Sequence, residues 1–147
     1  GHSKDHISFL DLSTNTLYSG DAIGQCYKTI SPNVSLFSCP PLSDPYIAPS
    51  IIQKVRKINP SRFGLGHFGY VNDVKRHLNQ CDAFLYKYLQ ILKDPENALS
   101  SLKTLYEKFY FPGCTEKYHR LKGHMNVNYF GILYANYPGK FIDAFNV

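Results

Sequence analysis

Apolar residues recur at two different spacings along this chain, and the change from one spacing to the other constrains the fold most strongly. Near the start, Ile7 and Phe9 on one face alternate with Leu10 and Leu12 on the other. A polar stretch at 13–16 separates this run from another short apolar run, which predicts a β-hairpin. In the second half of the chain the spacing becomes three and four, as in amphipathic helices. We therefore expect a small sheet combined with helices, in the α/β or α+β class.

Prolines and helix-capping residues divide the segment after this hairpin. Residues 23–45 have the composition of a loop, because they include four prolines, four serines and an asparagine. A helix is expected next, beginning at Asp44 or at Ala48, each of which is followed by proline. This helix should end at Asn59, before Pro60. The residues predicted to form its buried stripe are Ile51, Ile52, Val55 and Ile58.

The pattern predicts a short strand at 62–65 and helices in the remainder of the chain. A long helix with Asn72 or Asp73 as its N-cap has apolar residues at helical spacing up to Leu92. Another helix is expected to begin at Asp94, and a last one to run over about 125–137. The residues expected to face inward from the helix after Asp94 are Leu99, Leu102, Leu105 or Tyr106, and Phe109.

The composition is that of one domain with a buried core. Of 147 residues, 44% are hydrophobic and 18% are charged, which is the balance of a folded protein. The longest run of apolar or small residues, at 129–135, is far shorter than the roughly 20 residues of a membrane span, so no membrane partner is expected. No signal peptide is visible at the start. The four cysteines include no CxxC pair, which predicts reduced thiols in a cytoplasmic protein.

Three residues of a type that binds metal ions stand at the ends of the predicted strands. His2 precedes the first strand, Asp21 follows the second and His67 follows the third, each directly after a glycine. In a layered fold such loops are held by a rigid sheet and present functional groups. Two imidazoles and a carboxylate suit zinc, iron or manganese. The spacing alone leaves open that these are ordinary turn residues.

The segments around these residues resemble motifs of the metallo-β-lactamase superfamily. Residues 1–8, GHSKDHIS, look like its GHxxxH-type segment, and LYSGDA at 17–22 looks like its (S/T)GDA-type segment. LGHFG at 65–69 is similar to its last histidine motif. The three motifs occur in the order of the family, and the resemblance covers roughly residues 1–92.

The resemblance implies that the chain is the C-terminal half of the family's αββα sandwich, followed by a helical region. Residues 1–70 would form the half sandwich, and residues 71–147 would pack on the same domain. The family's HxHxDH signature lies upstream of the GHxxxH segment and supplies further metal ligands, and this sequence contains no such stretch. We therefore expect the N-terminal half of the fold as a partner and no activity without it. A homo-oligomer, in which two chains complete each other's site, stays open.

The resemblance also implies a metal-dependent hydrolase and assigns residues to it. Two divalent metal ions, expected to be zinc with iron or manganese as alternatives, would hold a hydroxide that attacks an ester, thioester or lactone carbonyl of a small-molecule substrate. His2 would complete the histidine set of the first metal, and His67 would bind the second. Asp21 would bridge both metals as the catalytic carboxylate. His6 would orient a neighbouring residue or contribute to packing.

Two further interpretations stay open at this point. Phe68 and Tyr70 are candidate substrate contacts, with ordinary packing as the alternative. A non-catalytic helical module that binds a partner or nucleic acid is the alternative function, because basic residues and tyrosines interleave in 106–122. Nucleic acid is nevertheless disfavoured as a partner, because the net charge of +5 is dispersed. The stretch between the last two motifs is also too short for the extra domain that nucleases of the superfamily usually insert.

Overall fold

The computed structural model describes residues 2–27, 33–67, 69–107 and 121–138, which form a mixed α+β fold. The strands in these ranges are β1 (Phe9–Asp11), β2 (Thr16–Gly20), β3 (Gln25–Tyr27), β4 (Val34–Leu36), β5 (Arg62–Leu65) and β6 (Tyr70–Val71). The α-helices are α1 (Ala48–Ile58), α2 (Val74–Ile91), α3 (Ala98–Leu105) and α4 (Lys122–Asn136), with a short 3₁₀ helix at Pro95–Asn97. None of the helices in these ranges combines the length and the apolarity that a membrane span needs.

A four-stranded sheet organises the first half of the chain, with the strand order β1-β2-β5-β6. β1 pairs with β2 and β5 pairs with β6 in antiparallel orientation, whereas β2 and β5 are parallel. A parallel pair needs a long crossover connection, and the segment that contains β3, β4 and α1 supplies it. The ends of β2 and β5 consequently lie side by side at one edge of the sheet.

Several predicted elements are confirmed. The first hairpin forms as β1 and β2, and the strand expected at 62–65 is β5. α1 begins at Ala48, the second of the two predicted starts, and ends at Asn59, which adopts a left-handed conformation with a φ of 51°. α2 has Asp73 as its N-cap, because the carboxylate accepts a hydrogen bond from the backbone amide of Arg76 at 3.0 Å. Local sequence signals therefore predict these element boundaries correctly.

Other predictions are wrong. The segment 23–45, interpreted as a loop, contains the antiparallel pair β3 and β4. β4 is buried along its whole length, so it lacks the alternation that would have indicated a strand. Ile58 and Leu99 were predicted to face inward, but each is 45% exposed, because they lie at the last turn of α1 and the first turn of α3. The inward position predicted for Phe109 lies outside the described residues.

One hydrophobic core joins the sheet to the helices. It includes Leu17 and Phe63 from the sheet, Phe84 and Leu85 from α2, and Leu102 from α3. The ring of Phe63 lies against α2, so this face of the sheet is covered. The opposite face is open, and its exposed aromatic side chains are Phe9 (68% exposed), Tyr18 (39%) and Tyr70 (46%).

Candidate metal centre

Loops at one edge of the four-stranded sheet bring His2, Asp21 and His67 together. Nε2 of His67 lies 3.3 Å from Oδ2 of Asp21, and Nε2 of His2 lies 3.9 Å from the same oxygen. Because β2 and β5 run parallel, the loops that follow them leave the sheet at the same edge. The three side chains singled out in the sequence therefore meet in space. We call His2, Asp21 and His67 the sheet-edge cluster.

A tight turn after β2 holds the Asp21 backbone in place. Gly20 has a φ of +53°, in the left-handed region that glycine adopts without strain. The amide of Ala22 donates to the carbonyl of Ser19 at 3.1 Å, and the amide of Gly24 donates to the carbonyl of Asp21 at 3.1 Å. Successive backbone hydrogen bonds thus set the position from which the carboxylate leaves the sheet.

The two carboxylate oxygens of Asp21 have different surroundings. Oδ2 faces the two imidazoles, whereas Oδ1 is buried and has no hydrogen-bond partner. Gly66 lies directly against Oδ1, since a Cβ at this position would stand 3.0 Å from that oxygen. A buried carboxylate oxygen is costly unless a cation or a donor satisfies it. A cation bound beside the imidazoles would balance the charge of this carboxylate, which no protein donor at Oδ1 does.

A backbone carbonyl orients the ring of His2. Its Nδ1 lies 3.4 Å from the carbonyl oxygen of Ser38, which can only accept a hydrogen bond. In the neutral ring Nδ1 therefore carries the proton, and Nε2 directs its lone pair toward Asp21. Metal-binding histidines commonly donate their other ring nitrogen to a carbonyl in this way. His67 is less enclosed, with 58% of its side chain exposed against 23% for His2.

His6 connects the first loop to the turn after β2. Its Nε2 lies 2.7 Å from the carbonyl oxygen of Ser19, to which it donates a hydrogen bond. The ring also covers Gly20, where a Cβ would stand 2.9 Å from Cε1 of His6. Its centroid lies 6.0 Å from that of the His2 ring, in an edge-on arrangement. His6 thus packs against the turn after β2 and beside the ring of His2. That His6 orients a neighbouring residue stays a prediction.

Of the two candidate substrate contacts, only Tyr70 belongs to the described residues, and Phe68 lies outside them. Tyr70 lies on the open face of the sheet, where its hydroxyl is 3.3 Å from that of Tyr18 and the guanidinium of Arg62 lies 4.8 Å from its ring centroid. The contacts described for Tyr70 are thus with the sheet face, and a contact with substrate stays a prediction.

Tyr27 lies near the cluster and was not singled out in the sequence. Burial, together with the negative charge of Asp21, raises the pKa of Tyr27 to about 12, so its phenol is protonated at neutral pH. The hydroxyl donates to Oε1 of Gln25 at 2.9 Å. Tyr27 belongs to β3, within the segment interpreted as a loop, so no sequence signal directed attention to it. The same is true of the Ser38 carbonyl that orients His2.

The donor set is suited to a divalent metal but is incomplete. Within residues 2–27, 33–67, 69–107 and 121–138, no group of three or more His, Cys, Asp or Glu side chains is placed to hold a metal ion by itself, and this includes the sheet-edge cluster. The sheet-edge cluster offers two imidazole nitrogens and a carboxylate, whereas a zinc ion takes four ligands. The chemistry of the donors therefore fits part of a metal centre.

A second polar cluster, which includes one histidine, lies on the buried side of α4. Asn128 donates from Nδ2 to the hydroxyl of Tyr106 at 3.1 Å and accepts at Oδ1 from the amide of Cys39 at 2.7 Å. The Tyr106 hydroxyl lies 2.5 Å from Nδ1 of His124, and burial lowers the pKa of His124 to about 3. We call His124, Tyr106 and Asn128 the buried network. Tyr106 is fully buried there and is not available to stack on a nucleic-acid base.

Comparisons with known proteins give no relative for this chain. No family model, no curated protein and no solved structure matches it at a significant level. The resemblance to the metallo-β-lactamase superfamily therefore rests on the three motifs and their order. The geometry of the sheet-edge cluster is a separate observation, because the backbone fold brings the same three residues together.

Proposed function

We propose that this chain contributes His2, Asp21 and His67 to the metal centre of a hydrolase of the metallo-β-lactamase type. One observation carries the proposal. Residues from three separate loops place two imidazole nitrogens 3.3 and 3.9 Å from Oδ2 of Asp21, while Oδ1 of the same carboxylate is buried and unsatisfied. Side chains of this kind that converge on one carboxylate at the edge of a sheet are typical of a ligand set.

The residues of the chain would have distinct tasks in this centre. Divalent ions bound there would lower the pKa of water to about 7 and polarise a carbonyl oxygen of an ester, thioester or lactone. Asp21 would supply the negative charge that balances the ions. His2 is held by the Ser38 carbonyl in the tautomer whose Nε2 can bind a metal. Tyr27, protonated at neutral pH, would add no further negative charge beside Asp21.

The open face of the sheet supports the proposal that residues 1–70 form half of an αββα sandwich. In such a sandwich the face opposite the helices packs on a second sheet. Here that face carries the exposed rings of Phe9, Tyr18 and Tyr70, whereas the other face is buried against α2. A second sheet would cover these rings. The proposal places the HxHxDH-type ligands in that second half, and this accounts for the incomplete donor set.

Cobalt(II) binding tests the metal centre, because its visible absorption reports ligands directly. We expect the purified chain to bind Co²⁺ or Zn²⁺ weakly and to show no metal-dependent hydrolysis of esters. Asp21→Asn should weaken binding at least about 10-fold, since loss of a group that only supports a metal ligand already costs about 10- to 100-fold and Asp21 is a proposed ligand. Asp82→Asn, which changes a carboxylate that pairs with Arg56 on the surface, is the matched control.

Two results would contradict parts of the proposal. Equal cobalt affinities of the wild-type chain and Asp21→Asn would remove Asp21 from the site and with it the proposed function. Tight, stoichiometric zinc in the wild-type chain would show that the donor set is complete. This result would contradict only the half-sandwich interpretation.

The thiols fit a reducing compartment, and we extend the proposal to a cytoplasmic location. Cys26, Cys39 and Cys81 are buried and form no disulfide in the described part of the chain. Disulfides are rare in cytosolic proteins because cellular reductants keep thiols reduced. A thiol titration of the denatured protein without reductant should find all four cysteines free, and a lower count would contradict this assignment.

A further inference from the structure

A cleft outside the sheet-edge cluster contains a serine next to a histidine. The cleft has a volume of about 260 Å³ and lies between the β3–β4 pair and the start of α2. Ser35 from β4 and His77 from α2 both line it, and Nδ1 of His77 lies 2.9 Å from Oγ of Ser35. A hydroxyl bonded to an imidazole is the pairing that activates serine nucleophiles. The proposed metal chemistry uses neither residue.

The position of the protons in this pair follows from a third partner. Nε2 of His77 lies 3.1 Å from the carbonyl oxygen of Ile23, which can only accept a hydrogen bond. Nε2 therefore carries the proton, and Nδ1 accepts from the hydroxyl of Ser35. Burial lowers the pKa of His77 to about 4, so the ring is neutral at pH 7. The Ile23 carbonyl thus orients the imidazole as the third member of a nucleophile–base arrangement does.

Gln80 supplies a hydrogen-bond donor beside this pair. Its Oε1 accepts from the backbone amide of Ser35 at 3.0 Å, which fixes the orientation of the side-chain amide and leaves Nε2 for another partner. Gln80 lines the same cleft as Ser35 and His77. A side-chain amide that lines the cleft is a donor of the type that stabilises an oxyanion when a hydroxyl adds to a carbonyl. Other polar residues that line the cleft are Asn33, Tyr70, Asn72, Asp73 and Arg76.

We propose that Ser35 and His77 form a nucleophile–base pair that transfers the acyl group of small polar esters. Oγ of Ser35 bonds to the ester carbonyl carbon, its proton passes to Nδ1 of His77, and Gln80 donates to the oxygen that becomes negative. The bond to the alcohol then breaks, the alcohol takes the proton from His77, and the acyl group stays on Ser35. Water attacks the acyl carbon in the same way, which releases the acid and returns the proton to Ser35.

Labelling with diisopropyl fluorophosphate tests this site in the purified chain. Oγ of Ser35 would bond to phosphorus and fluoride would leave, so peptide mass spectrometry should find the adduct on Ser35. Ser50, an exposed serine whose hydroxyl donates to the Ile47 carbonyl, is the internal control and should stay unlabelled. His77→Gln should slow labelling about 100-fold or more, because general base catalysis contributes at least that much.

A second variant separates the proposed role of Gln80 from a structural one. Gln80→Glu keeps an oxygen that accepts from the Ser35 amide and removes the Nε2 donor, so it should slow labelling about 100-fold while the fold is retained. If His77→Gln does not fold, the labelling rate of Gln80→Glu still tests the proposal. Equal rates for the wild-type chain and Gln80→Glu, or a folded wild-type chain with no adduct on Ser35, would overturn the proposal.

Chelation distinguishes this site from the proposed metal centre. Labelling of Ser35 should be unchanged by EDTA, because no metal ligand takes part in it. Loss of labelling with EDTA would instead attribute the reactivity to metal chemistry and would overturn the serine proposal. Failure of the cobalt experiment would leave the Ser35 result unaffected, so the two proposals fail separately.

Discussion

The sheet-edge cluster and the buried network each contain one polar atom that the protein leaves unsatisfied. In the described part of the chain, the buried side-chain atoms without a hydrogen-bond partner are Oδ1 of Asp21 and Nε2 of His124. The first belongs to a carboxylate with 16% of its side chain exposed beside two partly exposed imidazoles. The second belongs to an imidazole that is enclosed by aromatic rings, including those of Tyr27 and Phe84.

This difference separates a cluster that serves packing from one that an ion can reach. The enclosed ring of His124 loses its charge, because desolvation lowers its pKa to about 3, and a neutral ring nitrogen is a tolerable group to bury. The sheet-edge cluster keeps a carboxylate and two imidazoles where an ion can reach them. We therefore expect changes in the buried network to alter stability, and changes in the sheet-edge cluster to alter binding.

Acid should affect the buried histidines most strongly. The folded pKa values of His77 and His124 lie at about 4 and about 3, below the ordinary value of 6.5. The two neutral histidines contribute fully to the free energy of unfolding above pH 6.5. This contribution is lost as the pH falls from 6.5 toward 4 and 3, because the unfolded chain binds more protons there. For each histidine, the free energy of unfolding should fall by on the order of 3 kcal/mol between neutral pH and pH 4. Urea unfolding at pH 4 to 7 measures the loss.

A variant isolates the part of this pH dependence that comes from the buried network. His124→Gln should reduce the slope of unfolding free energy against pH by about 1.4 kcal/mol per unit between pH 4 and 6. An unchanged slope would show that His124 is not held neutral by the fold.

Asn128→Leu should cause the largest loss among substitutions at neutral pH. The leucine cannot accept from the Cys39 amide or donate to the Phe37 carbonyl, so two buried backbone groups lose their partner. We expect a loss of about 3–5 kcal/mol in the free energy of unfolding, measured by urea denaturation. Asn136→Leu, in the same helix but only partly buried, is the matched control and should cost about 1 kcal/mol. Equal losses would contradict the importance assigned to the buried network.

Two glycines of α4 provide a comparison of packing. A Cβ at Gly131 would collide with the Cys39 carbonyl oxygen, whereas a Cβ at Gly123 would meet nothing within 4 Å. Gly131→Ala should therefore lower the melting temperature and cost about 1–3 kcal/mol. Gly123→Ala should raise stability by about 0.5–1 kcal/mol, because alanine is the better helix former. Thermal melts that place both variants on the same side of the wild type would show that α4 is not packed as described.

Asp21→Asn should have the smallest effect on stability when no metal is present. The asparagine retains the shape of the carboxylate and relieves the buried charge at Oδ1. We expect the free energy of unfolding at pH 8 to change by less than about 1 kcal/mol. A loss as large as that of Asn128→Leu would mean that the sheet-edge cluster is a structural network like the buried one.

Local signals were sufficient to predict the elements that position the candidate site. The hairpin, the strand β5 and the cap of α2 at Asp73 follow from alternation, helical spacing and capping chemistry. The resemblance to the metallo-β-lactamase motifs implied that Asp21 and His67 share a site, and the parallel pairing of β2 with β5 brings them together. For the hairpin, β5 and the cap, a few adjacent residues determine the structure.

Features that depend on distant partners could not be predicted from the sequence. β4 is a strand whose two faces are both covered, partly by α2, and its own residues show no alternation. Asn128 and Cys39 are far apart in the chain, and nothing near either residue indicates their hydrogen bond. The pairing of Ser35 with His77 is of the same kind.

Because β2 pairs with β5 in parallel, we expect the candidate site to form late in folding. Its strands are joined by a crossover that contains a strand pair and a helix, so the chain must close a long loop before Asp21 can meet His67. An ion bound at the sheet edge would bind only the closed state, and mass action would then favour this pairing over its opening. Metal concentration would consequently control the hydrogen-exchange rates of the backbone amides that pair β2 with β5.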